Sequence, residues 1–149
     1  MEELYLLIAD RLKKTVPGLK TIDEDTGQLL ETGDQYPVLF PCALVDVQSI
    51  DWNTDKSFNQ RGTLSVTIKH AFNCYEDTHF SSPVGFDRLK ERTTQHHTLC
   101  SALHCYNFIP KKMSSMIRAN SRNYTLLGRI KVYEVTFILK IEDSLVPIE

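Results

Sequence analysis

Residues 63–74 read TLSVTIKHAFNC, and this stretch decides the fold class. Apolar residues and one histidine occupy every second position, which indicates a β-strand with one buried face. At about 3.3 Å per residue the strand would run roughly 40 Å, about twice the usual length. The residues on the face expected in the core are Leu64, Val66, Ile68, His70, Phe72 and Cys74. We therefore expect a sheet that reaches beyond its own core.

A second alternating stretch covers residues 131–142. Its polar face carries a single apolar residue, Ile138. The opposite face holds Tyr133, Val135, Phe137, Leu139 and Ile141. Because Phe137 is expected in the core, a charge in its place should unfold the domain.

Length and composition limit the class of protein. The 149 residues are 42% hydrophobic, which predicts one globular domain over residues 1–149. The formal net charge of -2 gives no global attraction to nucleic acid. No apolar run approaches the roughly 20 residues that span a membrane, so no membrane contact is expected. Glu2 and Glu3 stand where a secretion signal would place positive charge, which predicts synthesis in the cytoplasm. The four cysteines are irregularly spaced and are expected as free thiols.

Two helices are predicted from apolar residues at helical spacing. The first contains Leu4, Leu7 and Ile8 and should stop before Pro17. The second covers residues 86–105 and should lie across the sheet. Its side toward the sheet would hold Phe86, Leu89, Thr93, His96, Cys100 and Leu103.

The remaining segments are predicted as shorter strands and loops. Residues 42–47 should form a strand of about six residues. The acidic, turn-rich residues 19–35 indicate a loop or a weakly formed hairpin, and residues 48–62 a polar connector. Residues 116–120 would form a short strand, followed by a mobile loop over residues 121–127. This order predicts an α+β domain whose mainly antiparallel sheet has two long strands, packed by one N-terminal and one central helix.

The order of these elements resembles the tail terminator and tail completion proteins of long-tailed bacteriophages. The resemblance is carried by the helix with Leu4, Leu7 and Ile8, the strand region 36–47, the strand 63–74, the helix 86–105 and the strand 131–142. It implies a structural virion or prophage protein, made in the host bacterial cytoplasm, that forms a six-membered ring. It also implies three partners: further copies of the chain, the tail tube protein and the head connector protein. A head–tail joining or neck adaptor protein is the alternative within this class.

A ring subunit needs exposed contact residues, and the sequence offers aromatic and basic candidates. The predicted interface residues are Tyr36, Phe40, Trp52, Phe58, Arg118, Arg122, Tyr124 and Arg129. The basic ones could pair with acidic residues 23–25 of an adjacent subunit or contact DNA non-specifically in a ring lumen. The alternative is that the aromatic residues cover the ends of the core and the basic ones contact only water.

A histidine and cysteine pattern on the central helix supports a different class of function. His96, Cys100 and His104 recur every four residues, so they would share one helical face. Imidazole and thiolate are ligands that zinc prefers, and a fourth ligand could come from His70, Cys74 or His79. Without a paired ligand motif, packing is the favoured interpretation, and neither a cofactor nor a catalytic residue is predicted. A small metal-stabilised binding module or enzyme stays the alternative.

Overall fold

The computed structural model describes residues 2–30, 37–55, 58–74, 81–145 and 147–148. Two helices and five strands follow one another along the described chain. They are α1 (Glu2–Thr15), β1 (Thr21–Glu24), β2 (Cys42–Thr54), β3 (Asn59–Asn73), α2 (Pro83–Leu103), β4 (Ile117–Leu126) and β5 (Ile130–Ser144), with a 3-10 turn at Gln28–Leu30. This arrangement confirms the predicted α+β fold class.

The five strands form one sheet in the order β1-β2-β3-β5-β4. Strand β1 is parallel to β2, and every other neighbouring pair is antiparallel. The two long strands that the alternation predicted, β3 and β5, lie side by side at the centre. Their register sets Val66 opposite Phe137 and Ile68 opposite Val135, so the two apolar faces coincide.

Both helices pack on that apolar face. Leu4, Ile8 and Leu12 of α1 are fully buried at helical spacing, as are Leu99 and Leu103 of α2. Together with the central strands they form one hydrophobic cluster. Helix α2 begins at Pro83, where the Ser82 hydroxyl accepts a hydrogen bond from the Gly85 N–H.

The other face of the sheet is covered at one end only. A second buried cluster lies there, formed by Leu29, Cys42, Leu44, Ala71, Ile130 and Val132. Leu29, Val38 and Phe40 supply part of this cover, and residues 31–36 lie outside the described residues. The predicted polar face is therefore partly buried, and Thr67 is only 7% exposed.

Two loop predictions were wrong and a third was wrong in part, because polar side chains hid regular backbone pairing. The connector over residues 48–62 is instead the far half of the β2–β3 hairpin, in which Trp52 lies opposite Gly62. The mobile loop over residues 121–127 is mostly β4, a largely exposed strand at the sheet edge. Within residues 19–35, β1 pairs with the start of β2. In each case the ladder of main-chain hydrogen bonds satisfies the backbone without help from apolar side chains.

Candidate assembly interface

The three longest strands extend beyond the helices as an arm, which we define as residues 51–55, 58–63 and 140–145. Its ladder is continuous, since Asp51 lies opposite Thr63 and Asn59 opposite Ser144. Most of the described residues in the arm are exposed; the buried exceptions are Gly62 and Ile141. An extension of this kind adds little to the hydrophobic core of its own chain, so it is available for contact with another molecule.

Large apolar side chains remain exposed on this arm. Trp52 is 38% exposed, Phe58 is 55% exposed and Leu145 is 60% exposed. Phe58 and Leu145 meet at the tip, where the Leu145 N–H donates to the Phe58 carbonyl oxygen over 3.0 Å. Aromatic residues presented in this way often anchor protein interfaces. The interface roles of Trp52 and Phe58 stay predictions.

The other predicted aromatic contacts lie on the main body of the sheet. Phe40 and Tyr124 are partly buried against the second hydrophobic cluster, the packing that the alternative interpretation expects. Tyr36 lies outside the described residues. The arm therefore carries the aromatic residues that are best placed to meet another molecule.

The predicted basic residues divide between the two faces of the sheet. Arg118 lies opposite Phe137 on the helix-covered face, and the pKa of the Cys100 thiol is raised by burial and lowered in part by Arg118. Arg122 lies opposite Glu134 on the other face and forms an ion pair with it. Arg129 occupies the β4–β5 turn with a φ of 63 degrees. The predicted basic residues therefore lie along one edge of the sheet, but their side chains do not share one face of it.

A row of alternating charges crosses the face of the sheet opposite the helices. Lys69 Nζ lies 2.8 Å from Asp25 Oδ2, Glu134 is opposite Lys69 in the adjoining strand, and Arg122 completes the row. Glu134 is only 9% exposed. Burial acts to lower the pKa of Lys69, but the hydrogen bond and charge of Asp25 outweigh it, so that pKa is raised. Of the acidic residues 23–25 predicted to face another subunit, Asp25 instead binds Lys69 of its own chain. The alternating sequence of β3 and β5 predicts part of this row, because it places the side chains of Lys69 and Glu134 on the same, polar face of the sheet.

Two histidines form a buried polar network between β3 and α2. His70 is fully buried, and its Nδ1 atom lies 3.1 Å from Nδ1 of His96. Nε2 of His70 lies 2.8 Å from Gln95 Oε1, and the Gln95 amide nitrogen donates to the Pro17 carbonyl oxygen. Burial lowers the pKa of each histidine to about 4, so both are neutral near pH 7. Sequence reasoning placed His70 and His96 on inward faces but did not pair them.

The predicted metal ligands do not converge. His96 Nε2 lies 3.5 Å from Cys100 Sγ, but α2 ends at Leu103 and His104 turns into extended backbone. Nδ1 of His104 accepts a hydrogen bond from the Arg118 N–H, which directs the ring away from that pair. Across the described residues, no cluster of three or more His, Cys, Asp or Glu is arranged to hold a metal ion.

The alternative fourth ligands and the thiol chemistry give no further support to a metal site. Cys74 accepts a hydrogen bond from Arg92 over 2.6 Å, and His79 lies outside the described residues. Burial also raises the pKa of the Cys100 thiol, which disfavours the thiolate that would bind zinc or act as a nucleophile.

Comparison with solved structures identifies a similar fold. The chain superposes on a chain from a structure described as the virion of a native gene transfer agent particle, with a TM-score of 0.60 at 10% identity. The match covers 94% of this chain and 95% of the other. No protein-family model and no curated protein matches the sequence. Among the helices in the described part of the chain, none is long and apolar enough to cross a membrane.

Proposed function

We propose that this protein is a structural component of a virion, and that it completes a phage tail tube by forming a ring at the end of the tube. The observation that carries the proposal is the shared fold, which spans nearly the whole of both chains. A protein of the same fold is part of a gene transfer agent virion. The proposed role needs no catalytic residue or cofactor.

The surface of the molecule supports an assembly role independently of that likeness. An exposed arm that carries Trp52 along its length and Phe58 at its tip projects beyond the body of the chain. The sheet is open, because β1 and β4 each have a neighbouring strand on one side only among the described residues. Exposed apolar side chains and unpaired edges are features that assembling subunits cover with their neighbours.

The proposed partners are further copies of this chain, the tail tube protein and the head connector protein. Six copies would form the ring, as the resemblance to tail terminator proteins implies. Protein made in the bacterial cytoplasm would enter the virion when the ring joins the tube. Arg129 and neighbouring basic residues could in addition contact DNA in the lumen, through phosphates and without sequence preference.

Native mass spectrometry of the purified protein, combined with binding to tail tube protein and to connector protein, tests this proposal. We expect a ring species whose population rises with concentration, and binding to tube protein. Binding to connector protein alone would instead favour a neck adaptor. A monomer that binds neither protein would contradict the virion role.

A further inference from the structure

The two outermost strands of the sheet carry charges of opposite sign. Strand β1 ends in Asp23 and Glu24, and both side chains are exposed. Strand β4 lies at the opposite edge and presents exposed Arg118 and Arg122. No acidic residue occurs between positions 117 and 133, a range that also includes Arg129 and Lys131. The sheet is therefore electrically polarised from one edge to the other.

The acidic edge consists of Asp23 and Glu24, together with an exposed leucine nearby in space. Glu24 forms no ion pair among the described residues. The pKa of Tyr5 is raised by burial and then by the charges of Asp23 and Glu24, which places all three close together. Leu39 is 67% exposed, and its N–H donates to the Thr21 hydroxyl of β1. An apolar side chain thus accompanies the negative charge.

The basic edge consists of Arg118 and Arg122, together with exposed apolar residues at or beside the two ends of β4. Ile117 is 48% exposed and Leu127 is 93% exposed. In the part of the chain that the structure describes, Arg118 forms no ion pair, so no neighbouring carboxylate offsets its charge. The Arg122 side chain is 68% exposed although it binds Glu134, which leaves part of the guanidinium open to another molecule.

We propose that the acidic edge of one subunit binds the basic edge of the next copy of the chain. The two edges match in sign, and each adds exposed apolar side chains, as the contact surface of an oligomer requires. Because the edges are different surfaces on opposite sides of the sheet, the contact is head-to-tail. Repetition of such a contact closes into a ring when the rotation between subunits allows it. This inference rests on the proposed ring and assigns its subunit contact.

The opposite signs favour a second copy over DNA as the occupant. Duplex DNA would complement the basic edge but would leave Asp23 and Glu24 without a partner. A second copy satisfies both edges at once. It also covers the open sides of β1 and β4, which would otherwise be free to pair with unrelated strands.

A pair of charge-swapped variants tests the contact. The basic-edge variant carries Arg118→Glu and Arg122→Gln; the glutamine can still donate to Glu134. The acidic-edge variant carries Asp23→Asn and Glu24→Lys, and the asparagine oxygen can still accept hydrogen bonds. Each variant alone should fail to form the wild-type oligomer in sedimentation velocity, because its two edges now repel. Their equimolar mixture should recover the oligomer with alternating subunits.

Controls distinguish loss of the edge contact from misfolding and from DNA binding. Lys13→Glu reverses an exposed charge on α1 and should assemble like the wild type. Circular dichroism should show that every variant is folded.

Three outcomes would count against the inference or its premise. If the wild type and both variants assemble equally well, or if the mixture recovers nothing, the edge contact is wrong while the ring stands. Loss of DNA retention by the basic-edge variant, with normal assembly, would assign that edge to DNA and overturn the inference. A wild-type chain that never assembles would contradict the proposed ring itself.

Discussion

The Nδ1 atoms of His70 and His96 lie 3.1 Å apart, so only one of the two can carry a hydrogen at that contact. A single arrangement of protons satisfies the whole network. The Gln95 amide nitrogen donates to Pro17, so Gln95 Oε1 accepts from Nε2 of His70. Nδ1 of His70 then accepts from Nδ1 of His96, and Nε2 of His96 is left to accept from Cys100. Both histidines are neutral in this arrangement.

Stability should therefore fall as the pH drops from about 6.5 toward 4. The folded-state pKa of His70 is about 4, below its ordinary value of 6.5. As the pH falls, His70 takes up a proton at a higher pH in the unfolded chain than in the folded chain. The contribution of His70 to stability is therefore complete above pH 6.5 and is lost as the pH falls toward 4. The difference between a pKa of 6.5 in the unfolded chain and about 4 in the folded chain corresponds to about 3 kcal/mol for His70 at the acid end of that window. Urea unfolding at a series of pH values measures this dependence.

Two variants control the pH experiment. His96→Gln removes one titrating group from the network and should flatten the profile between pH 7 and 5. His97→Gln changes the exposed neighbouring residue, whose charge is the smallest of the three causes that lower the pKa of His96, and should change the profile less than His96→Gln does. Identical profiles for the wild type and His96→Gln would contradict the assignment.

Phe137→Ala should cost about 3–5 kcal/mol of unfolding free energy, because the ring is fully buried between the sheet and the helices. Ile138→Ala is the matched control on the same strand. Ile138 points to the other face and is 39% exposed, so its loss should cost much less. Equal losses, measured by chemical denaturation, would mean that the faces of β5 are wrongly assigned.

Lys69→Met should cost about 3 kcal/mol, since it leaves the largely buried carboxylate of Asp25 without its cation. Arg61→Met breaks the exposed pair with Glu142 and should cost less than about 1 kcal/mol. Adding Asp25→Asn to Lys69→Met should recover part of the loss. The row of charges is not a structural unit if the double variant is as unstable as the sum of its single changes.

Trp52→Ala should impair assembly while leaving thermal stability nearly unchanged, because the arm lies beyond the core. Leu6→Ala is the control, since Leu6 is 63% exposed on α1, away from the arm. Sedimentation velocity and thermal melts of both variants distinguish the two effects. A Trp52→Ala protein that assembles as well as Leu6→Ala would remove this residue from the interface.

The sequence predicted the fold class and the central strands because β3 and β5 alternate over their buried lengths. It also predicted a sheet that reaches beyond its own core, but it did not place residues 51–55 and 58–62 in that extension, because they pair through their backbones while their side chains are mostly polar and exposed. It placed His104 with His96 and Cys100 by extending α2 past Leu103, where the helix ends.

The basic residues show a second limit of local patterns. The sequence grouped Arg118 with Arg122, but the irregular register between Arg118 and Asn120 and the strand pairing set them on opposite faces. Contacts between distant segments, such as Lys69 with Asp25, leave no local pattern to recognise.

The most direct test of the proposed role is electron microscopy of tail tubes from the same particle after incubation with this protein. We expect a six-fold ring at one end of each tube. Tube ends that stay bare while the protein remains in solution would contradict the proposed role.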